Sequence, residues 1–201
     1  MIILGITGPT GSGKTTCLER IRARGGCVLD LDEVYHELLK TSPALLSALD
    51  TRWPGVVKDG TLDRKALGNI VFADKAALQE LDRLIVPFIL GETDRRLAEA
   101  EAAGVPVAAI DAINLLEGTL PERCQATIAV VAPVETRVQR LIVRDGITEE
   151  YARLRISAQK PNEYFMEKCD HTLMNDGADP EFFAAQCDAL LNRLLDGQER
   201  K

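Results

Sequence analysis

The sequence predicts an α/β fold of three layers, in which helices cover both faces of a five-stranded parallel sheet. Short apolar runs that lack polar alternation indicate strands buried on both faces. Helical patterns separate these runs, which is typical of βαβ units. The five predicted strands are Ile2–Thr7, Cys27–Leu31, Val105–Asp111, Thr127–Ala132 and His171–Met174.

Turn and capping residues delimit the helices of this α/β core. A helix over Lys14–Arg24 stops at Gly25-Gly26, and the last helix opens at Asp179-Pro180. Two further core helices are predicted over Pro133–Arg144 and Glu149–Lys160.

No parallel strand is predicted between Val34 and Gly104, where the patterns are helical. The predicted helices there are Pro43–Leu49, Arg64–Phe72, Lys75–Leu90 and Glu92–Ala103. We therefore expect a single domain over residues 1–201, with a core formed by 1–33 and 105–201 and a helical insertion at 34–104.

Composition excludes several classes of function. The 201 residues are 46% hydrophobic, as in a globular core, and carry a net charge of −7 with only 4% aromatic residues. An acidic, aromatic-poor chain is a poor candidate for coating nucleic acid. No run approaches the roughly 20 apolar residues of a membrane span. The five scattered cysteines favour buried thiols in a reducing cytosol over a disulfide framework. Together with the charge and the lack of a long apolar run, they lead us to expect a cytoplasmic protein without a membrane or nucleic-acid partner.

The most specific motif lies directly after the first predicted strand. Residues 8–15 read GPTGSGKT and match the pattern G-x-x-x-x-G-K-[ST] in full. Glycines let such a loop turn its N–H groups inward, and the following helix adds partial positive charge, so the loop binds phosphate. Lys14 is expected to reach the β- and γ-phosphates of ATP, and Thr15 to ligate Mg²⁺. The residues predicted to bind ATP here are Thr10, Gly11, Ser12, Gly13, Lys14, Thr15 and Thr16. The motif therefore predicts a P-loop NTPase fold that binds a nucleoside triphosphate, and it does not by itself indicate what receives the phosphate.

Acidic residues close two predicted strands, at the sheet edge where ligands bind in open α/β folds. Asp30 and Asp32 end the second strand, and Asp111 ends the third. Alternation along an extended segment predicts that Asp30 and Asp32 lie on one side. A carboxylate there could take the proton of an acceptor hydroxyl or hold a metal-bound water. The alternative to this catalytic role is that Asp32 forms an N-cap or is a solvated loop acid. Asp111 could assist Mg²⁺ through water, and the alternative is a purely structural role.

Basic residues concentrate in the last third of the chain. Residues 137–168 hold seven basic and five acidic residues, a net of +2, whereas the rest of the chain carries −9. Arg140 and Arg144 share one helix face and precede Asp145-Gly146. This layout predicts a short lid over residues 140–168 that adds positive charge to the transferring phosphoryl group. Solvated helix faces with ion pairs are the alternative for any single arginine.

The chain resembles the dephospho-coenzyme A kinase family over nearly its whole length. Besides the phosphate loop, the matching segments are VLDLD at 28–32, DGTLDRKALG at 59–68 with Val71-Phe72, LLE at 115–117, RLIVRDG at 140–146, RISAQ at 155–159 and DHTLMNDG at 170–177. The run at 59–68 is the most individual, since other phosphate-loop kinases do not share it.

The resemblance implies a nucleotide-kinase-like fold and ATP-dependent phosphorylation of the ribose 3′-hydroxyl of dephospho-coenzyme A, the last step of coenzyme A biosynthesis. Lys14 and Arg140 are implied as catalytic groups, with Asp32 as the catalytic base. Arg140 and Arg144 are implied to close over ATP, and the loop at Asn175–Gly177 to lie near the adenine.

On the acceptor side, the resemblance implies that Arg64 lies at the phosphate end of the substrate, in the helical lobe that binds coenzyme A. A monomer or weak oligomer is expected.

The chain departs from the family pattern at four positions. The family usually has histidine at Val86, proline at Asn114, glutamine at Arg137 and alanine at Leu31. Two alternatives stay open. The departures at Val86 and Asn114 leave room for a kinase that acts on another nucleotide or metabolite. The other alternative, from a different class of function, is a non-catalytic nucleotide-binding module.

Overall fold

The computed structural model describes residues 1–197, so the last four residues of the predicted domain lie outside the described part of the chain. The chain divides into two compact units, one formed by residues 1–29 with those from 100 onward and one by residues 30–99. The strands are β1 (Ile2–Thr7), β2 (Cys27–Asp30), β3 (Val57–Lys58), β4 (Thr61–Leu62), β5 (Val107–Asp111), β6 (Ala126–Val131) and β7 (His171–Met174). The helices are α1 (Lys14–Ala23), α2 (Leu31–Thr41), α3 (Pro43–Arg52), α4 (Arg64–Val71), α5 (Lys75–Ala102), α6 (Val134–Asp145), α7 (Glu149–Ser157), α8 (Asn162–Lys168) and α9 (Pro180–Leu195).

The first unit contains a five-stranded parallel sheet in the order β2-β5-β1-β6-β7, which confirms the predicted fold class. The central strand β1 pairs in parallel with β5 on one side and β6 on the other. Every residue of β6 is buried, which explains why its sequence lacks polar alternation.

Helices cover both faces of this sheet. On one face, Leu4 and Ile128 pack in one hydrophobic cluster with Ile21 of α1 and Leu191 of α9. On the other face, Phe165 of α8 packs against β6. The sheet therefore places the loop that follows β1 at the carboxyl end of its central strand, where α/β folds bind ligands.

The second unit has its own hydrophobic core. Residues from α3, the hairpin formed by β3 and β4, α4 and α5 contribute to it, with Leu45, Leu49 and Trp53 among the buried members. Polar side chains cap its elements, as when Ser42 accepts from the N–H of Leu45 and begins α3.

Several predicted boundaries are wrong, as for the helix predicted over Pro43–Leu49, which extends to Arg52. The second strand ends at Asp30 instead of Leu31, because the Asp30 side chain accepts from two N–H groups and begins α2, a helix that was not predicted. The helix predicted to reach Lys160 ends at Ser157 and is followed by α8. The predicted strand over Val105–Asp111 begins only at Val107.

The helices predicted over Lys75–Leu90 and Glu92–Ala103 form one 28-residue helix, α5, which continues through Pro87 and Gly91. Its buried residues lie on both sides of the predicted break, including Leu81 and Leu97. Burial of this apolar side offsets the cost of about 1 kcal/mol that a helical glycine imposes and the cost of about 3 kcal/mol of a proline inside a helix. No helix within residues 1–197 is both long and apolar enough to cross a membrane.

Candidate functional site

The phosphate loop has a backbone shape that only glycine permits at two positions. Gly8 has φ 143°, and a Cβ there would lie 2.0 Å from the carbonyl oxygen of Val130. Gly13 has φ 97°, and a Cβ there would lie 2.2 Å from Nδ2 of Asn175. Side chains at either position would force the loop away from its neighbours, so the glycines of the motif are fixed by close approach as well as by φ.

The phosphate loop leads into α1, whose N-terminus is uncapped, since no side chain in the described part of the chain accepts a hydrogen bond from its first N–H groups. Gly13 is the N-cap residue of α1 and makes no side-chain capping bond. The first turn of α1 carries no acidic residue either. Since no side chain competes for its first-turn N–H groups, this helix end is suited to hold an anion.

Lys14 lies at the start of α1 with its side chain folded back toward the loop. Its Nζ donates to the carbonyl oxygen of Gly8 at 3.2 Å and lies 4.0 Å from Oδ1 of Asp111. The lysine and Asp111 side chains are only 19% and 13% exposed. The carboxyl end of β5 and the phosphate loop thus bring Lys14, which is predicted to contact the phosphates of ATP, close to Asp111, for which a role near Mg²⁺ is one of two alternatives. Thr15, which follows Lys14, is exposed, and Thr16 is half-buried.

Two arginines of α6 hold the loop backbone. The Nε of Arg137 donates to the carbonyl oxygen of Thr10 at 2.8 Å. Arg140 donates from Nη1 to the carbonyl oxygens of Gly11 and Ser12, at 3.0 and 3.1 Å. Arg140 is predicted from the sequence to close over ATP. In the structure its guanidinium group holds the backbone of the phosphate loop.

Asn175 and Gln159 complete this polar network. Asn175 follows β7, donates to the Ser12 carbonyl oxygen at 3.0 Å and accepts from Nη2 of Arg140 at 2.8 Å. Gln159 Oε1 accepts from the N–H of Thr10 at 3.0 Å and from Nη2 of Arg137 at 3.1 Å. Asn175 was predicted to bind the nucleotide, and here it fixes the shape of the loop.

The two loop-holding arginines carry positive charge that is shielded from water, fully at Arg137 and partly at Arg140. Arg137 is only 2% exposed, and burial lowers its pKa. Arg140 is half-buried, which also lowers its pKa, with Asp176 acting in the opposite direction. Among the described residues, the hydrogen bonds of both arginines go to backbone and amide oxygens and not to a carboxylate. Both guanidinium groups stay charged, because the pKa of arginine lies far above neutral pH. The loop is therefore an electropositive site in a chain whose net charge is negative.

Arg144 and Gly177 have different surroundings. Arg144 donates from Nε to Asp145 at 2.7 Å, and Arg155 donates to the same carboxylate at 2.6 Å. Hydrogen bonds from these arginines lower the pKa of Asp145 to about 2, and the pairing raises the pKa of Arg144. None of the hydrogen bonds of Arg144 reaches the loop. Gly177, with φ 85°, packs against Thr136, whose hydroxyl donates to the carbonyl oxygen of Asp176.

The second unit holds Asp32 and Arg64, each exposed in the first turn of a helix. Asp32 lies in α2, and its N–H donates to Oδ1 of Asp30 at 2.9 Å. Asp30 is thus the cap, and the expected strand alternation of the two carboxylates is wrong because Asp32 is already helical. Arg64 begins α4 next to its cap Asp63. Burial raises the pKa of Tyr35, and the nearby Arg64 partly opposes that rise.

Sequence reasoning did not assign Arg137 and Gln159 to the site. A signal was present, since Arg137 stands four residues before the buried Leu141, on the apolar side of α6. A charged residue at such a position needs a polar partner inside the protein. No cluster of three or more metal-ligating side chains occurs among residues 1–197.

A phosphate loop between the central strand of a parallel sheet and an uncapped helix, with two arginines bound to the loop backbone, defines a P-loop kinase. The model of the family described as CoaE, dephospho-CoA kinase, matches residues 2–181. The chain belongs to the dephospho-CoA kinase family, whose reaction is the ATP-dependent phosphorylation of dephospho-CoA to CoA. The resemblance found in the sequence is confirmed.

Two relatives of known name are similar to this chain over nearly its whole length. The dephospho-CoA kinase of Burkholderia lata is 34% identical, with 97% of this chain and 96% of that one covered. The enzyme of the same name from Mesorhizobium japonicum is also 34% identical, with 96% and 97% covered.

Solved structures agree in fold. The crystal structure of TT1252 from Thermus thermophilus is 33% identical, has a TM-score of 0.75 and covers 96% of this chain and 97% of that one. A shikimate kinase from Bacteroides thetaiotaomicron shares the fold at 15% identity, with a TM-score of 0.53 and coverage of 97% and 98%.

Proposed function

We propose that this chain transfers the γ-phosphate of ATP to the ribose 3′-hydroxyl of dephospho-CoA. The observation that supports ATP binding is the phosphate loop, whose backbone carbonyl groups are held by the buried Arg137 and the half-buried Arg140. Membership in the dephospho-CoA kinase family supports the acceptor half. In such a reaction, positioning and charge stabilisation supply most of the catalysis.

On the nucleotide side, the N–H groups of the loop and of the first turn of α1 bind the phosphates. Lys14 leaves the Gly8 carbonyl when ATP is bound and contacts the β- and γ-phosphates. Arg140 adds charge at the transferring phosphoryl group, and Arg144 exchanges part of its contact with Asp145 for ATP. Gly177 and Asn175 contribute to the adenine side.

Thr15 and Asp111 would hold Mg²⁺, Thr15 through its hydroxyl and Asp111 through water. Both offer hard oxygen atoms, the donor type that Mg²⁺ prefers, and the Thr15 hydroxyl is exposed at the start of α1. Mg²⁺ binds with one or two protein groups plus substrate phosphates, so the lack of a larger cluster in the described chain is compatible with it. When bound, the ion would neutralise charge on the transferring phosphoryl group.

On the acceptor side, Asp32 takes the proton of the 3′-hydroxyl, and Arg64 binds a phosphate of dephospho-CoA. Asp32 is exposed in the first turn of α2, where its carboxylate is available to a substrate. A cytoplasmic location and a monomeric or weakly oligomeric state stay predictions. No described feature favours either alternative function.

The direct test is CoA formation from ATP and dephospho-CoA by the purified chain and by Asp32→Asn. We expect Asp32→Asn to lower kcat by about 10²- to 10⁴-fold with little change in the affinity for ATP. Glu33→Gln is the matched control, since Glu33 is an exposed acid in the same helical turn. Equal losses in the two variants, or an equal loss of ATP affinity, would contradict the base role of Asp32.

A further inference from the structure

We propose that Arg137 is a positioning residue that, together with Gln159, fixes the backbone of Thr10. It also places a buried positive charge at the phosphate loop, and the triphosphate of ATP balances this charge. The inference rests on the proposed function only insofar as ATP is the ligand of the loop. It concerns how the free protein prepares that site.

The contacts form a closed ring around one residue of the loop. The carbonyl oxygen of Thr10 accepts from Arg137, the N–H of Thr10 donates to Gln159, and Arg137 donates to the same oxygen of Gln159. The three distances are 2.8, 3.0 and 3.1 Å, all within hydrogen-bond range. Both polar groups of the Thr10 residue are therefore held by side chains from outside the loop.

Packing holds the two side chains in place. Val138 and Leu141 of α6 bury against Ala152 and Ile156 of α7. Gln159 stands in the turn after α7, where its N–H donates to the carbonyl oxygen of Ile156. A Cβ at Gly11 would lie 3.1 Å from the backbone oxygen of Arg137, so α6 runs in close contact with the loop. The loop thus takes its position from the packed pair of helices.

The charge of Arg137 is the unusual part of this arrangement. It is among the largest fully buried side chains of the described chain, and its hydrogen bonds go only to neutral oxygens. Two exposed arginines of α6 and α7 have carboxylate partners, as Arg144 has Asp145 and Arg153 has Glu135, and Arg140 is only half-buried. A buried cation without a counter-ion is costly, and a polyanion bound by the loop supplies the missing charge.

Gln159→Glu separates charge from geometry. A glutamate keeps the acceptor oxygen for Thr10 and Arg137 but gives Arg137 a negative partner. We expect the thermal unfolding midpoint of the free protein to rise and the Kd for a non-hydrolysable ATP analogue to increase by roughly tenfold. The KM for dephospho-CoA should stay within about twofold, because this change acts on the nucleotide site.

Arg137→Met removes both the charge and the hydrogen bonds while keeping an apolar side chain of similar length. We expect the Kd for the ATP analogue to rise by about 10- to 100-fold, with the unfolding midpoint of the free protein unchanged or raised. Arg52→Met is the matched control. It removes an exposed, ion-paired arginine from α3 in the second unit and should leave the Kd unchanged.

A purely structural role predicts the opposite pattern. If Arg137→Met lowers the unfolding midpoint while Gln159→Glu leaves the Kd for the ATP analogue as in the parent, the inference is wrong. Should Arg137→Met fail to fold, the Kd of Gln159→Glu alone decides. If the parent forms no CoA but both variants still lose ATP-analogue affinity, the proposed acceptor is wrong and the role of Arg137 stands.

Discussion

The N-terminus of α1 in the first unit differs from the N-termini of the two helices that carry Asp32 and Arg64 in the second unit. In the first unit, α1 begins after Gly13 without a capping side chain. In the second unit, α2 and α4 begin with the carboxylates of Asp30 and Asp63, which accept from first-turn N–H groups. An uncapped helix end keeps its donors for an anionic ligand, whereas a capped end has used them for stability.

The same contrast separates the candidate site residues. The phosphate loop is held by buried side chains such as Arg137 and Asn175. Asp32 and Arg64 are exposed in the second unit. We infer that the nucleotide site is formed before ATP binds, and that the acceptor groups are presented on helices whose stability does not depend on them. Substitutions in the first set should change ATP binding, and those in the second should change acceptor use.

Among the nucleotide-side substitutions, the largest effect is expected at the uncapped helix. Lys14→Met removes the only charged side chain of the phosphate motif, so kcat/KM for ATP should fall by about 10²- to 10³-fold. Steady-state kinetics measure the loss. Lys65→Met, which changes an exposed lysine of the capped helix α4, should leave it unchanged. A loss below about tenfold at Lys14 would contradict a phosphate-binding role.

A smaller effect is expected at the side chain that buttresses the loop. Asn175→Ala removes the hydrogen bonds to Ser12 and Arg140, so KM for ATP should rise by about 10- to 30-fold while KM for dephospho-CoA stays constant. Asn192→Ala, a change in α9, is the control variant and should leave both constants as in the parent. Equal increases in both KM values for Asn175→Ala would break the proposed division between the two sites.

The converse is expected for Arg64. Arg64→Ala should raise KM for dephospho-CoA by about tenfold and leave the Kd for an ATP analogue unchanged, because one charge-assisted phosphate contact is lost. Lys65→Ala, at the neighbouring exposed position, serves as control. An unchanged KM would remove Arg64 from the acceptor site.

The smallest effect concerns the stability of the second unit. Hydrogen bonds from Arg95 and Arg96 lower the pKa of Glu92 from 4.5 to about 2. Because the folded pKa is depressed, the stabilisation is present above about pH 4.5 and is lost as the pH falls toward 2. Glu92→Gln should lower the free energy of unfolding by about 1 kcal/mol at pH 7, with the difference from the parent vanishing near pH 2.

Urea unfolding across this pH range measures the Glu92 effect. Glu99→Gln removes a more exposed partner of Arg95 and should cost less than about 0.5 kcal/mol. A difference for Glu92→Gln that grows on acidification would show that the ion pairs do not stabilise the folded state.

Sequence alone predicts the features that depend on local chemistry. The phosphate motif, the five strands and the helical character of residues 34–104 follow from residue types at fixed spacing. The relation of Asp30 to Asp32 could not be predicted, because a capping bond at Asp30 competes with strand extension. The continuity of α5 depends on burial of residues such as Leu97, which appears only in the packed structure.

The role of Arg137 also depends on tertiary structure. Its partners Thr10 and Gln159 stand 127 and 22 residues away in the chain, so no local pattern connects them.

The most direct test of the account is the chemical identity of the product. The chain should be incubated with ATP, Mg²⁺ and dephospho-CoA, and the product examined by ³¹P NMR. We predict one new phosphomonoester signal, coupled to the ribose 3′ proton, formed in step with ADP. ADP formation without a new phosphomonoester, or a phosphate on another hydroxyl, would contradict the account.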